Sequence, residues 1–282
     1  MIELLSSGFY TSIQDLGRFN YTDFGVPLSG AMDQNLARFA NLLVGNSPEQ
    51  AVIEMTFIGP KLKFTKAQTI AITAPKAKVF LNGKTAAINH QLSIQPNDIL
   101  EVKSIQNRAY FAVNGHLISE NKLGSQSQYY SITTTEKLKK GDEIRIRSNH
   151  KNFHKKHASV NYDSSFYDSQ TLEVYTLPEY ENLSRNEKEI LSTKAFTISE
   201  QSNRMAYQFE DILKNQLEGI NSVPVMPGVV QLTPEGKLMV LMRDAQVTGG
   251  YPRIFQLSEN SINLLSQKPL KSQINFEILK LK

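Results

Sequence analysis

The chain has 282 residues and carries 31 Lys and Arg against 27 Asp and Glu, a net charge of +4. Hydrophobic residues make up 40% and charged residues 21%, ordinary globular usage that excludes an extended disordered chain. The absence of cysteine excludes disulfides, thiolate metal sites, cysteine nucleophiles and CxxC redox chemistry. The first residues, Met1-Ile2-Glu3-Leu4-Leu5, lack the basic flank and apolar core of a signal peptide, and no apolar run approaches the roughly 20 residues of a membrane span. These features point to a cytoplasmic protein of one large or two medium domains.

In chain order, the first informative stretch is Gly8 to Arg18, followed by Gly25 to Asp33. Four glycines there imply tight turns or close approach of another chain or a ligand. Gln14, Asp15, Arg18 and Asp33 surround that backbone. Two explanations stay open: a polar site, or a loop in which Asp15 pairs with Arg18 and Asp33 caps a helix. Asp33 is a good N-cap, and Leu36, Phe39, Ala40 and Leu43 recur at helical spacing, so a helix is expected from 33 to 44, stopped by Gly45-Asn46. Glu54 lies within the apolar run Ala51-Val52-Ile53-Glu54-Met55. A carboxylate there is paired, hydrogen-bonded or protonated, which makes Glu54 an acid/base candidate and, equally, half of a structural pair.

Short strands then dominate. Ala67–Thr73, Lys78–Leu81, Thr85–Ile88, Ile99–Val102 and Arg108–Val113 are expected as strands, with Asn82-Gly83 as a type I′ hairpin turn. The window 139–157 holds seven basic side chains against two acidic ones, enough to account for the whole positive excess. Nucleic-acid binding spreads basic residues over several elements with stacking aromatics, so this local cluster argues against it. His150, His154 and His157 have a spacing that suits metal ligands on a helix or a polar loop equally, and no metal site is expected from them. The polar stretch Ser148–Gln170 is the best boundary, giving an N-terminal β region at 1–150 and a C-terminal one at 151–282.

Strands are expected again at Leu172–Tyr175, Ala195–Ile198, Gly228–Leu232, Leu238–Met242 and Gln273–Leu281. Ser184-Arg185-Asn186-Glu187 is a capping box, and Ser258 caps a short helix through Leu265. Asp244 to Arg253 contains Gly249-Gly250, whose backbone N–H groups can line an oxyanion or phosphate site. Beside them, Tyr251 and Arg253 can orient a carboxylate or phosphate, Arg253 by a bidentate fork. A hairpin turn with flanking surface charges accounts for the same residues. The fold class expected is mainly β, in barrels or sandwiches rather than βαβ units.

Several long motifs occur in a fixed order: Thr11-Ser12-Ile13-Gln14-Asp15-Leu16-Gly17-Arg18, Gly25-Val26-Pro27-Leu28-Ser29-Gly30-Ala31-Met32-Asp33 and Ala40-Asn41-Leu42-Leu43-Val44-Gly45-Asn46. They continue with Leu123-Gly124-Ser125, Ser202-Asn203-Arg204-Met205 and Thr248-Gly249-Gly250-Tyr251-Pro252-Arg253. Together they resemble the biotin-dependent carboxyltransferase family, which takes in allophanate hydrolase subunit 2 and the C component of bacterial 5-oxoprolinase, also called the KipI antagonist. The family's Ser-Asp-Arg-Met-Gly pattern reads Ser202-Asn203-Arg204-Met205-Ala206 here, and its Gly-rich stretch has no glycine from Ser131 to Lys140.

The resemblance implies cyclophilin-like β-barrel domains with a few short helices. It implies a hydrolase of a cyclic amide, active within a complex that opens 5-oxoproline to glutamate with ATP hydrolysis. The partners it implies are a KipI-like protein and a lactam-utilisation-type protein, with ATP a requirement of the complex. Carried onto this chain, it gives anion-binding roles to Arg18, Arg204 and Arg253, N–H donor roles to Gly249 and Gly250, and acid/base candidacy to Asp15, Glu54 and Asp244. Gln14, Gln231 and Tyr251 would position substrate, beside Thr248. Two alternatives remain: a carboxyltransferase component acting on a urea- or amide-type substrate with a separate biotin carrier, and a non-catalytic KipI-binding regulator.

Overall fold

The computed structural model describes residues 1–147 and 163–280. They form two units, the first from Met1–Arg18 and Ser29–Ser164, the second from Phe19–Leu28 and the chain from Ser165 onward. A ten-residue piece near the N-terminus thus belongs with the C-terminal unit. His150, His154 and His157, with much of the basic window, lie outside the described residues.

Strands of the first unit are β1 Ile2–Ser6, β2 Tyr10–Gln14, β3 Val52–Thr56, β4 Lys61–Phe64, β5 Gln68–Thr73 and β6 Lys78–Leu81. They continue with β7 Lys84–Ala86, β8 Gln91–Ile94, β9 Ile99–Lys103, β10 Arg108–Val113, β11 His116–Ile118 and β12 Glu143–Arg147. Two sheets result, in the orders β11-β12-β1-β4-β9-β6-β7 and β2-β3-β10-β5-β8. Asn82 and Gly83 sit at φ 51° and 77° between β6 and β7, the positive angles that a type I′ turn demands.

The second of these sheets has two unlike faces. Ile13, Ile53, Phe111 and Ile72 stand in register across four strands. They pack with Leu4, Leu62, Phe64 and Leu100 of the other sheet into one core. Each such side chain contributes about 1.5–3 kcal/mol on burial. One residue out of phase, Ser12, Glu54, Tyr110 and Thr73 line the opposite face in the same register. That face is polar yet buried, because helix α1, Gln34–Leu43, lies across it. Asp33 caps α1 by accepting from the Leu36 N–H at 3.0 Å, and Gly45 at φ 75° ends it, as expected. Thr73 Oγ1 ties the sheet to the helix by donating to the Leu36 carbonyl at 2.8 Å.

The second unit contains β13 Thr171–Thr176, β14 Phe196–Thr197, β15 Ala206–Ile212, β16 Val223–Pro224, β17 Val229–Leu232, β18 Lys237–Leu241, β19 Thr248–Gly249, β20 Arg253–Leu257 and β21 Gln273–Ile278. Seven of them form a sheet in the order β14-β21-β13-β20-β17-β18-β15. A bridge between Ile198 and Phe209 joins its two ends, so the sheet closes into a barrel. Phe196, Phe209, Phe255 and Phe276 meet inside with ring centroids 5.4–6.0 Å apart. Helix α2, Arg185–Thr193, starts on the expected Ser184 capping box, and α3, Glu259–Ser266, on the Ser258 cap. The expected fold class, mainly β and built on barrels, is the one the chain adopts. Among the described residues no helix is long and apolar enough to cross a membrane.

Candidate functional site

Within the second unit, a cleft of about 690 Å³ opens between the barrel face and a small ribbon. Val229 of β17 with Arg253 and Gln256 of β20 line it from the barrel. The ribbon is the two-residue pairing of β16 with β19, and it contributes Pro224, Val225 and Thr248. Leu177 adds an apolar wall, and Thr22, Asp23 and Gly25 enter from the N-terminal piece, where residues 22–24 form a 3-10 turn. Beneath lies a small apolar cluster of Val225, Val229, Leu241 and Ala245.

Strand alternation alone would send Arg253 and Gln256 to opposite faces of β20. A β-bulge changes that. Val230 pairs with Phe255, but Gln231 pairs with Arg253, so Ile254 is the extra residue. The bulge re-aims Arg253 onto the cleft face. There Arg253 meets Glu179 of a second 3-10 turn, Pro178–Asn182. Arg253 Nε donates to Glu179 Oε2 at 3.2 Å and Nη2 to Oε1 at 3.0 Å, while the Arg253 backbone N–H donates to Oε2 at 3.2 Å. Burial pushes the Glu179 carboxyl up, but the hydrogen bonds and charge of Arg253 outweigh it and hold the group below its ordinary value. Nothing in the sequence links Glu179 to Arg253, 74 positions away, and Glu179 is absent from the expected site.

Gln231 shares the cleft face of β17 with Val229, one pleat further on. Its side chain is fully buried, and neither Nε2 nor Oε1 has a hydrogen-bond partner. Gly249 lies directly against it. A Cβ on Gly249 would fall 2.5 Å from Gln231 Nε2, and one on Gly250 would fall 3.3 Å from the Ile220 carbonyl oxygen. Neither glycine has a positive φ. Close approach to the Gln231 amide, not a left-handed backbone, is therefore what glycine at 249 accommodates, and a larger residue there would displace that side chain. Thr248 and Tyr251 are exposed at the same edge.

The remaining expected residues sit elsewhere. Arg204 grips Asp244 with both sides of a fork, Nε to Oδ2 at 2.6 Å and Nη2 to Oδ1 at 3.1 Å. The Asp244 N–H also donates to the Arg204 carbonyl at 3.0 Å. The pair stabilises the turn that delivers Ala245 to the cluster under the cleft.

In the first unit, Gln14, Asp15 and Arg18 converge on residues 122–128. The Asp15 carboxylate accepts from Gly17 N at 2.9 Å, Ser125 Oγ and Ser127 Oγ at 2.7 Å, and Gln126 N at 2.6 Å. Arg18 donates to the carbonyls of Lys122 and Ser127. Gln14 donates to Ser12 Oγ at 3.0 Å and the Gln128 carbonyl at 3.1 Å. Glu54, with no exposure, accepts from the Met32 N–H at 2.7 Å and stands 3.7 Å from Arg108 Nε. Beside it, burial and then the charges of Glu54 and Asp33 push the Tyr110 phenol well above its ordinary value, so it stays a neutral hydroxyl.

The three expected acid/base carboxylates thus have both oxygens engaged within their own units. Among the described residues lining the cleft, Arg253 is the one cation, and Asp23 and the neighbouring Glu179 oppose it. A polyphosphate does not fit such a lining. A single carboxylate does, because Glu179 occupies only the Nε/Nη2 edge of the guanidinium. Among the described residues no cluster of three or more His, Asp or Glu could hold a metal.

Comparison with known proteins follows the same lines. A family model described as carboxyltransferase domain, subdomain A and B, matches residues 24–278. The C component of 5-oxoprolinase from Escherichia coli K12 is 30% identical over 98% of this chain and 90% of its own length. Its Haemophilus influenzae counterpart is 28% identical over 100% and 92%. The crystal structure of the Kluyveromyces lactis urea carboxylase superposes with a TM-score of 0.87 at 22% identity, covering 99% of this chain and about a quarter, 27%, of that one. At that identity the likeness concerns the fold.

Proposed function

The chain belongs to the carboxyltransferase domain A and B family, and from that premise we propose that it is the C component of an ATP-dependent 5-oxoprolinase complex. The complex adds water across the lactam bond of 5-oxoproline and releases glutamate. The observation that carries this reading is the match to two C-component sequences over almost the whole length of each chain. A KipI-like protein and a lactam-utilisation-type protein complete the proposed assembly, in the cytoplasm. ATP is assigned to the assembly and not to this cleft, whose lining offers one cation and opposing carboxylates.

The cleft suits the substrate proper. 5-Oxoproline has one carboxylate, a ring with apolar methylenes and an amide edge. The free Nη1/Nη2 edge of Arg253 takes the carboxylate in this reading, and Val225, Val229 and Leu177 receive the ring. Gln231 offers an unused amide donor and acceptor behind Gly249, and Thr248 and Tyr251 sit at the rim. Asp15, Glu54 and Asp244 act as positioning groups: Asp15 with Gln14 and Arg18 fixes residues 122–128, Glu54 fixes the start of α1, and Asp244 with Arg204 fixes the cleft floor.

The test is glutamate release from 5-oxoproline and ATP by the purified complex, with and without this chain. The expected result is turnover that requires it. Arg253→Ala is expected to raise KM for 5-oxoproline about 10–100-fold, the equivalent of about 1.4–2.7 kcal/mol of lost binding. A complex that assembles without this chain and turns over equally well rules the reading out. The family model's carboxyltransferase description supports a second reading, carboxyl transfer to an amide with a biotin carrier supplied by another chain. Carboxylation of an amide by the assembly, with no glutamate formed, selects it.

A further inference from the structure

We infer that Glu179 is a positioning residue for substrate recognition, an inference that rests on the cleft being the 5-oxoproline site. A guanidinium offers two edges for a paired contact with a carboxylate, Nε/Nη2 and Nη1/Nη2. Glu179 occupies the first and leaves the second for a ligand. The same carboxylate accepts the backbone N–H of Arg253 at 3.2 Å, so it fixes both the bulged main chain and the head of the side chain.

The turn that carries Glu179 is fastened to β20 residue by residue. The Leu177 N–H donates to the Ile254 carbonyl at 3.0 Å, and Tyr180 packs its ring 5.2 Å from that of Phe255. Glu179 thus lies between two anchored neighbours, and its grip on Arg253 does not depend on a loose loop. Both side chains are mostly buried, 15% and 23% exposed, so solvent screens the pair less than a surface bridge. An arginine held this way presents a fixed donor edge to the cleft, whereas an unheld one loses side-chain freedom each time it binds.

A latch that merely joins the turn to the barrel would show in stability and not in substrate affinity. The experiment compares the assembled complex carrying Glu179→Gln, Glu179→Asp, Arg253→Ala or Asp211→Asn, with KM, kcat and Tm read for each. Asp211→Asn is the control, since it breaks an ion pair of the same barrel, Lys194 to Asp211 at 2.9 Å, on β15. Glu179→Gln is expected to raise KM for 5-oxoproline about 10-fold with kcat within about 2-fold, the pattern of lost uniform binding. Glu179→Asp should fall between it and the parent, and Asp211→Asn should lower Tm and leave KM alone.

Because KM does not depend on how much enzyme is folded, a partly unfolded variant still reports. If Arg253→Ala raises KM while Glu179→Gln changes only Tm or kcat, Glu179 is a structural latch and the inference is wrong. If Arg253→Ala itself leaves KM unchanged, the reading of the cleft fails first.

Discussion

Two polar regions of this molecule look alike in composition and differ in what they can do. The face of the first unit bearing Ser12, Glu54, Thr73 and Tyr110 is buried under α1, and its charged groups are met by the chain itself. The cleft of the second unit is open, and Arg253 in its lining keeps one guanidinium edge to spare, while both amide atoms of Gln231, buried behind Gly249, lack partners. Buried polarity by itself therefore does not mark a site. Unused hydrogen-bonding capacity beside open space does, since an unmet buried polar group carries a cost that folding alone would remove.

The sharpest way to break this contrast is Glu54→Ala. It leaves Arg108 and the Met32 N–H facing an empty position in a dry interface. The expected loss is about 3–5 kcal/mol, read as a fall in Tm and in urea midpoint. A loss below about 1 kcal/mol would mean that the polar face is not the rigid scaffold described. Arg204→Ala should cost less, about 2–3 kcal/mol, because the Arg204–Asp244 pair retains some exposure, 11% and 8%. It should act on KM only through the floor of the cleft, so stability should move more than affinity.

Gln231→Met gives the smallest and most telling effect. It removes an unpartnered amide of similar bulk, so the barrel should be unchanged or about 1 kcal/mol more stable while turnover of the complex falls. A destabilised variant with full turnover would place Gln231 among groups that serve structure alone, like those of the first unit.

Local chemistry made much of the fold legible. The Asp33 cap, the Asn82-Gly83 turn and the Ser184 capping box depend on residues within a few positions of one another, and each appears as expected. Strands β5, β6, β9 and β10 follow from short runs rich in apolar and β-branched residues, set between turns. Strand β20 does not, because its bulge at Ile254 breaks the alternation that would reveal it. The two-residue strands of the ribbon are too short to carry a period.

Within the site, the sequence singles out Gly249-Gly250 and Arg253, but the reasons differ from those it suggests. Gly249 makes room for Gln231, and Arg253 is already half engaged by Glu179. Both facts depend on residues far apart in the chain, 74 positions in the case of Glu179 and Arg253. No local pattern encodes such contacts. The same distance explains why Asp15 and Arg18 are found to clamp residues 122–128, more than a hundred positions on.

Binding of the substrate at Arg253 in the second-unit cleft, as proposed, is tested most directly by a crystal structure of the assembled complex with 5-oxoproline bound. The ligand carboxylate is expected within hydrogen-bonding distance of Arg253 Nη1 and Nη2, with Glu179 still holding Nε. Density for 5-oxoproline at another place, with the Arg253 edge untouched, would contradict it.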